Sequence, residues 1–276
     1  MSTFLYSYGL SLTQSLGKRL KPAKTSSTPK RIHNFRLTVK RLRALIRLLD
    51  SISHEPSHDF LFKPLKKTYG KTGLLRDLHV QWKLIKNLKK QSTKEAGRLM
   101  KLVERKEARV NKNVFKEFAK LNSKAIKQIQ DYFEEHLLNG YNITSEDCMN
   151  FIGLKIDAIK QLAGIEYEDK VLHSIRKHLK DVVYTLQLLQ MQESRLNIPE
   201  RTLKWFNDLQ EKLGVWNDWY NLTQMLRQLN SKKTNYSTLE WLSYIEKDKC
   251  KQSISECLQN LICIDDLGIV LLKDET

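Results

Sequence analysis

The chain has 276 residues and carries 48 Lys and Arg against 31 Asp and Glu, which gives a formal net charge of +17. The excess is confined to one half, because residues 1–140 hold 31 basic and 11 acidic residues whereas residues 141–276 hold 17 and 20. The length suffices for two domains with cores of their own, and a one-sided positive charge favours an anionic partner. The longest apolar run, Leu267–Leu272, is too short to cross a bilayer, so no membrane partner is expected.

The chain is predicted to be all-α, because no stretch alternates apolar and polar residues and β-branched residues are sparse. In the first half, helices are predicted over residues 3–20, 29–52, 58–70, 73–90 and, as one helix or two, 94–137. Pro22–Pro29 is predicted to be a linker, with Thr28 as N-cap and Pro29 as the first helical residue. The third helix is expected to end at Gly70 and the fourth to begin near Gly73.

The second half is predicted to repeat this organisation. Helices are expected over residues 144–163, 168–196, 200–212, 216–230 and 237–264. The boundary between the halves falls at Gly140 to Thr144, which gives predicted domains over 1–140 and 141–276. Each half is expected to form a helical bundle with short connections.

Cysteine usage and the N-terminus bear on the compartment. The four cysteines show no CxxC pairing, which argues against a disulfide framework and favours a cytoplasmic protein. In the amphipathic N-terminal segment, Lys18 and Arg19 follow the apolar part, which is the wrong order for a secretory signal.

A histidine-led basic motif occurs twice at nearly constant spacing. His33 begins the first copy and His173 begins the second, 140 residues later. Each copy is followed by a glycine and an aspartate, and the two aspartates, Asp77 and Asp218, are 141 residues apart. A register that holds over two motifs indicates an internal duplication.

Helix geometry places the basic residues of each motif in a column on one helix face. The first column consists of His33, Arg36, Lys40, Arg43 and Arg47, and the second of His173, Arg176, Lys177, Lys180 and Tyr184. Like charges three or four residues apart repel by a few tenths of a kcal/mol per pair, so these columns indicate a bound polyanion. The alternative is a solvated lysine-rich face, against which the arginines of the first column and the recurrence argue.

Further basic residues occupy matching positions in the two halves. Aligning Asp77 with Asp218 pairs Lys63 with Lys204 and Lys71 with Lys212. These lysines, together with Lys66 and Arg76, are predicted to line the same groove as the basic columns.

Other chemistry is weakly indicated. Neither motif histidine is followed by a His, Cys or carboxylate at i+3 or i+4, so no metal site is predicted and a phosphate donor role is favoured. Asp77 and Asp218 are interpreted as residues of a helix start that stabilise its first turn; the alternative is that each braces an arginine of the basic column. Glu166 and Glu168 spell ExExK, a metal-binding pattern that requires a β-strand, and here it precedes a helix.

The two motifs resemble the CHAD family, the conserved histidine α-helical domain. The family pattern is a histidine, an arginine three residues later and a cluster of Arg and Lys; its second half reads His-x-x-Arg-Lys-x-x-Lys-x-x-x-Tyr. The matching residues are His33, Arg36, Lys40, Arg41 and Arg43 in the first half and His173, Arg176, Lys177, Lys180 and Tyr184 in the second. Its Arg-Asp and Asn-Asp turns match Arg76-Asp77 and Asn217-Asp218, and the resemblance covers about residues 5–265.

The resemblance implies two helical bundles related by a pseudo-twofold around a basic groove or pore that binds inorganic polyphosphate. The second half departs from the first, since Val183, Gln187 and Asn217 stand where the first half has arginines. The second half is therefore expected to bind less of the anion or to act as the opposing wall.

The leading hypothesis is non-enzymatic binding of long inorganic polyphosphate, with no cofactor and no catalytic residue. The alternative is sequence-independent RNA binding by the same surface. Single-strand binders interleave aromatic residues with basic ones, whereas residues 30–50 contain only Phe35, which favours bare phosphate. A polyphosphate hydrolase with a metal on Glu166 and Glu168 is the third hypothesis, and protein partners are left open.

Overall fold

The computed structural model describes most of the chain. Outside the description are residues 24–27, 55, 122, 139, 141, 165–166, 193–195, 198, 233–234, 263–269 and 272–276. The ExExK glutamate Glu166 and Cys263 therefore lie outside the described residues.

The all-α prediction is confirmed. The described helices are α1 (Ser2–Ala23), α2 (Pro29–Ile52), α3 (Lys63–Leu88), α4 (Thr93–Lys120), α5 (Lys124–Leu137), α6 (Ser145–Ala163), α7 (Asp169–Met191), α8 (Glu200–Asn230) and α9 (Ser237–Ile262). A short 3-10 helix, Asp59–Phe62, precedes α3. Two strands of two residues, β1 (Leu196–Asn197) and β2 (Val270–Leu271), pair antiparallel, which the sequence pattern did not indicate.

The start of α2 follows the predicted capping. The Thr28 hydroxyl accepts a hydrogen bond from the Arg31 amide at 3.4 Å, and Pro29 stands at the first helical position. The apolar stripe that includes Ile32, Phe35 and Leu42 is fully buried, so the basic residues of α2 are left on the opposite side. This orientation is what brings the first basic column to the site.

The predicted helix breaks at Gly70–Gly73 and before residue 216 are wrong. Helix α3 runs through both glycines, and α8 runs through Gly214. A glycine inside a helix costs about 1 kcal/mol relative to alanine, whereas burying one leucine contributes roughly 2 kcal/mol. Leu75 and Leu213 are fully buried, so the apolar stripes continue across the glycines. The helix predicted to reach residue 196 ends earlier, at Met191.

Four helices meet at the centre of the molecule. Helix α2 contacts α3 and α7, and α8 contacts α3 and α7, which closes a ring of α2, α3, α8 and α7. The outer helices pack behind them, α1 on α2, α4 on α3, α6 on α7 and α9 on α8. Buried apolar residues of both halves belong to one continuous core. The two motif helices are therefore direct neighbours, although they are far apart in sequence.

Among the described residues, no helix combines the length and the apolar character that a bilayer span requires.

Candidate functional site

A cavity of about 380 Å³ lies at the centre of the ring of four helices. We call it the central cavity; its lining is His33, Arg36, Leu37, Lys40, Tyr69, Arg76, Asp77, Arg176, Lys180, Gly214, Asn217, Asp218 and Asn221. Five of these side chains are basic and two are acidic, and they come from α2, α3, α7 and α8. The first motif and the second motif therefore converge on one cavity.

A second cavity, of about 570 Å³, shares Lys40, Tyr69 and Lys180 with the central one. We call it the outer cavity; its remaining lining is Arg43, Arg47, Lys155, Ser174, Lys177, His178, Asp181 and Tyr184. Six of its side chains are Lys or Arg and one is acidic. The positive lining thus extends from the central cavity along α2 and α7.

A third cavity, of about 540 Å³, shares His33 and Arg76 with the central cavity. We call it the lateral cavity; its remaining lining is Pro29, His79, Trp82, Lys83, Glu104 and Glu107. It lies between the start of α2, the middle of α3 and the facing part of α4. Its two carboxylates are matched by only two Lys or Arg side chains, Arg76 and Lys83, whereas each of the other two cavities has an excess of cations.

Arg36 is fixed against α3 by two contacts. Its Nη1 donates a hydrogen bond of 2.7 Å to the Tyr69 carbonyl, and its guanidinium carbon lies 4.2 Å from the centroid of the Tyr69 ring. A Cβ at Gly73 would lie 2.8 Å from Nη1, so only glycine leaves room for this guanidinium. Gly73 therefore lets the arginine approach the helix backbone, whereas a Cβ added at Gly214, the corresponding glycine of the second half, would meet nothing within 4 Å.

Arg43 also lies near Tyr69. Its guanidinium carbon is 5.0 Å from the Phe62 ring centroid and 5.6 Å from the Tyr69 centroid. Its Nε is buried and has no hydrogen-bond partner among the described residues. Tyr69 therefore contacts two arginines of the basic column, a role that the sequence did not reveal because Tyr69 lies outside both motifs.

Arg47 is engaged by an acid of the second half. Its Nε donates to Asp181 Oδ2 at 3.2 Å, and its Nη2 donates to Asp181 Oδ1. The Asp181 side chain is only 7 % exposed. The two hydrogen bonds of this pair link α2 to α7. Much of the Arg47 charge is thereby compensated, which the sequence analysis did not anticipate because Asp181 stood outside the motif.

Two lysines at the junction of the central and outer cavities have depressed pKa values. Burial, followed by the positive charges of Arg36 and Arg176, lowers the pKa of Lys40 to about 8. Burial, followed by Arg176 and Lys40, lowers the pKa of Lys180 to about 7. The first and second basic columns are therefore close enough to repel each other, and an anion between them would relieve this repulsion.

Asp77 and Asp218 occupy a different place from the one predicted. Because α3 begins at Lys63 and α8 at Glu200, neither aspartate lies in a first helical turn, and the interpretation as first-turn residues is wrong. Both line the central cavity, where burial raises the pKa of each carboxyl and nearby arginines oppose the rise. Arg36 is the leading charge on Asp77 and Arg76 on Asp218, which favours the alternative that the aspartates brace the arginines.

The two motif histidines have different surroundings. His33 lines both the central and the lateral cavity, and burial followed by the charge of Arg76 lowers its pKa. The His173 ring lies 4.8 Å from the Trp216 ring and 4.9 Å from the Tyr220 ring, edge-on to both. Burial and Arg176 lower the pKa of His173 as well. The structure thus brings His33 to the basic cavity and packs His173 against aromatic rings.

The remaining predicted residues divide between the cavities and the periphery. Arg41 faces a small space next to Tyr8 and Tyr184. Three of the predicted lysines are exposed and lie outside the linings of the three cavities: Lys63, Lys66 and Lys204. Lys71 is half-exposed and also lies outside these linings. Lys212 Nζ lies 3.0 Å from Cys257 Sγ on α9 and is directed away from the groove.

Within the described part of the chain, no group of three or more His, Cys, Asp or Glu side chains is arranged to hold a metal ion.

Comparison with known proteins identifies the family to which this arrangement of helices and motifs belongs. The model of the CHAD domain family matches residues 12–227, which include both motifs and all four central helices as far as Arg227. The chain belongs to the CHAD family. The crystal structure of the CHAD domain from the plant Ricinus communis is similar to it, with a TM-score of 0.73, 14 % sequence identity and coverage of 98 % of this chain and 94 % of that one. At this identity the likeness shows the shared CHAD fold. Comparison with curated protein sequences finds no match.

Proposed function

We propose that this CHAD protein binds long-chain inorganic polyphosphate without catalysing a reaction. The observation that carries the proposal is the convergence of Arg36, Lys40, Arg76, Arg176 and Lys180 on one cavity from three helices, α2, α3 and α7. Arg forks and Lys ammonium groups coordinate phosphate oxygens directly, and the outer cavity offers further cations to the next phosphates. A linear polyanion fits this series of cavities better than a single phosphate does.

The aromatic residues of the central cavity support bare phosphate over RNA. Tyr69 lines that cavity, and its ring is already covered by the guanidinium of Arg36. Single-strand binders use open aromatic faces for base stacking, and Tyr69 does not offer one there. RNA binding therefore remains the second candidate, because it would use the same cations and the exposed basic surface of the first half.

The proposal is non-enzymatic because the central cavity holds cations without a nucleophile paired with a base. The hydrolase hypothesis depended on Glu166, which lies outside the described residues, and on Glu168, which is the N-cap of α7. Free thiols at Cys148, Cys250 and Cys257 support the further proposal of a reducing, cytoplasmic location.

The proposal is tested by calorimetric titration of the protein with long-chain polyphosphate, orthophosphate and RNA at equal phosphate concentration. We expect heats from polyphosphate well above those from orthophosphate, and an affinity that falls steeply with salt as counterions are released. Arg36→Ala with Arg176→Ala should weaken binding by about tenfold or more, because each removes a fork from the central cavity.

Lys63→Ala with Lys204→Ala is the matched control. It also removes one charge from each half, at exposed positions outside the cavities. It should reduce the affinity by less than threefold, and circular dichroism should show unchanged helicity for both pairs. Equal losses from the two pairs would refute a cavity site, and displacement of polyphosphate by RNA would make RNA the leading ligand.

A further inference from the structure

The lateral cavity has a chemistry that bare polyphosphate does not use. Its volume of about 540 Å³ lies in the range of small-molecule sites. Glu104 and Glu107 contribute two carboxylates from α4, which repel phosphate oxygens. Trp82 and His79 contribute two rings from α3. This lining suits a planar group that carries N–H donors.

Each carboxylate is held in place by one ring. Trp82 Nε1 donates to Glu104 Oε1 at 3.1 Å, and His79 Nε2 lies 3.0 Å from Glu107 Oε1, a distance at which it donates. An ionised carboxylate accepts about four hydrogen bonds, so both retain acceptor capacity for a ligand. His79 Nδ1 is buried and has no hydrogen-bond partner among the described residues.

The Trp82 side chain lines the lateral cavity and is half-buried. The ammonium of the exposed Lys86 lies 5.4 Å from its ring centroid, so a stacked group on that face would replace this flexible side chain. Base stacking on an aromatic side chain is largely independent of base identity and adds substantially to affinity. Trp82 can therefore stack on a nucleobase in the lateral cavity.

The lateral cavity is connected to the phosphate site by shared residues. His33 and Arg76 line both the lateral and the central cavity. A ligand with its planar end beside Trp82 can therefore place its phosphates beside Arg76 and the cations behind it. In the second half the motif spacing matches Trp216 and Tyr220 to Leu75 and His79, and their rings pack against His173. The surroundings of His33 and His173 thus differ, because two aromatic rings pack against His173 at positions where the first half has Leu75 and His79.

We infer that the lateral cavity binds the nucleoside of a purine nucleoside triphosphate, whose phosphates extend past Arg76 into the central cavity. The inference rests on the proposed function, because it uses the same cations for the phosphates. Trp82 stacks on the purine, and Glu104 and Glu107 accept hydrogen bonds from its N–H groups. The hydrogen-bond donors of this ligand are on its base. Inorganic polyphosphate with the same number of phosphates has no base and lacks these contacts.

The test is a comparison of ATP and GTP with inorganic tripolyphosphate by calorimetry, since these ligands carry the same number of phosphates. We expect the wild-type protein to bind at least one of the nucleotides about tenfold more tightly than tripolyphosphate. Trp82→Leu, and separately Glu104→Gln with Glu107→Gln, should bring the nucleotide affinity down to that of tripolyphosphate. Both variants should keep their affinity for long-chain polyphosphate, which shows that they fold.

Trp241→Leu is the matched control, because Trp241 is 62 % exposed on α9 and does not line the lateral cavity. It should leave the ratio of nucleotide to tripolyphosphate affinity unchanged. Equal affinities for nucleotide and tripolyphosphate in the wild-type protein, or an unchanged ratio in Trp82→Leu, would overturn the inference. If the wild-type protein prefers nucleotide to tripolyphosphate but does not bind long-chain polyphosphate, the proposed function is overturned and the inference about the lateral cavity is not.

Discussion

At the scale of single residues, the site depends on close packing of charged groups against a helix backbone. Arg36 reaches the Tyr69 carbonyl at 2.7 Å because Gly73, one turn later, has no side chain. A charge-assisted hydrogen bond of this kind stabilises more than a neutral one, and it orients the guanidinium. The glycine therefore serves the arginine, although the sequence pattern suggested that it began a helix.

Gly73→Ala is predicted to weaken polyphosphate binding about fivefold or more while leaving the free energy of unfolding within about 1 kcal/mol of wild type. The new methyl group would lie 2.8 Å from Arg36 Nη1, so the flexible guanidinium moves rather than the helix. Alanine also favours helix formation, which offsets the lost contact. Calorimetry and urea denaturation measure the two quantities.

Gly70→Ala is the control for this prediction, because nothing lies within 4 Å of a Cβ added there on the same helix. It should keep full affinity and gain a little stability. Equal binding by the two variants would show that the position of Arg36 does not matter for the anion.

Lys180 is predicted to take up protons when the anion binds. Its pKa is about 7 and that of Lys40 about 8, because burial and neighbouring cations disfavour their charged forms. A bound polyanion favours the charged forms of both lysines, so their pKa values rise and they take up protons from the solvent. At pH 7.5 the uptake should reach about one proton, most of it at Lys180, and affinity should fall as pH rises from 7 to 9.

Calorimetry at pH 7.5 in two buffers with different ionisation enthalpies measures this uptake. Lys180→Arg should remove most of it, because arginine stays protonated, whereas Lys177→Arg at a more exposed position should leave it unchanged. An uptake that is the same in both variants would exclude Lys180 as the proton acceptor.

At the scale of helices, α2 and α7 contribute unequally to the site. Arg36 lies in the central cavity and Arg43 in the outer one, and the Arg43 Nε has no hydrogen-bond partner among the described residues. In α7, Val183 is the residue that corresponds to Arg43, and Lys180 is only partly charged near neutral pH. The cations of α2 are thus more numerous and more fully charged.

Arg36→Ala with Arg43→Ala is therefore predicted to lower the polyphosphate affinity more than Arg176→Ala with Lys180→Ala. Removing two guanidinium groups deletes two fixed charges, whereas the second pair includes a lysine with a pKa of about 7. Titration at pH 7.5 should show a difference of about threefold or more between the two double variants. Equal losses would mean that the helices contribute symmetrically, whatever the charge difference between the halves.

The sequence predicted the helices of this site better than their contacts. The amphipathic pattern of α2 and its Thr28 cap correctly gave the helix and its basic face, because both signals are local. The role of Gly73 and the positions of Asp77 and Asp218 depend on which helix lies opposite, and no local signal reports that. Tyr69 and Asp181 were missed for the same reason, since each acts on an arginine distant in sequence.

Individual basic residues were also harder to place than the motif. Arg41 belongs to the family pattern, yet its neighbour Lys40 faces the central cavity and Arg41 faces Tyr8 of α1. Adjacent residues on a helix point about 100° apart, so basic residues that are neighbours in the sequence point in different directions. Lys63 and Lys204 keep the register of the halves but are exposed at the periphery.

At the scale of the whole molecule, the fold brings positive charge together before any anion is bound. Residues 1–140 hold 31 basic and 11 acidic residues, and the basic columns of α2 and α7 face each other across one cavity. Self-repulsion of this kind destabilises the compact state and is reduced by salt. A ligand that binds only the folded state stabilises it by mass action.

The melting temperature of the free protein is therefore predicted to rise with salt, and the gain in melting temperature from bound polyphosphate is predicted to fall with salt. Without ligand, the melting temperature should rise by several degrees as NaCl increases from about 50 to 300 mM, because screening weakens the repulsion between the columns. With a fixed excess of long-chain polyphosphate, the protein should melt at a higher temperature at low salt, and this gain should shrink as salt weakens binding. Scanning fluorimetry along both series provides the measurement. Lys40→Met with Lys180→Met should flatten the first dependence, because these two lysines together carry about one positive charge at pH 7.5 in the free protein. A free protein whose melting temperature falls with salt would contradict the argument from self-repulsion.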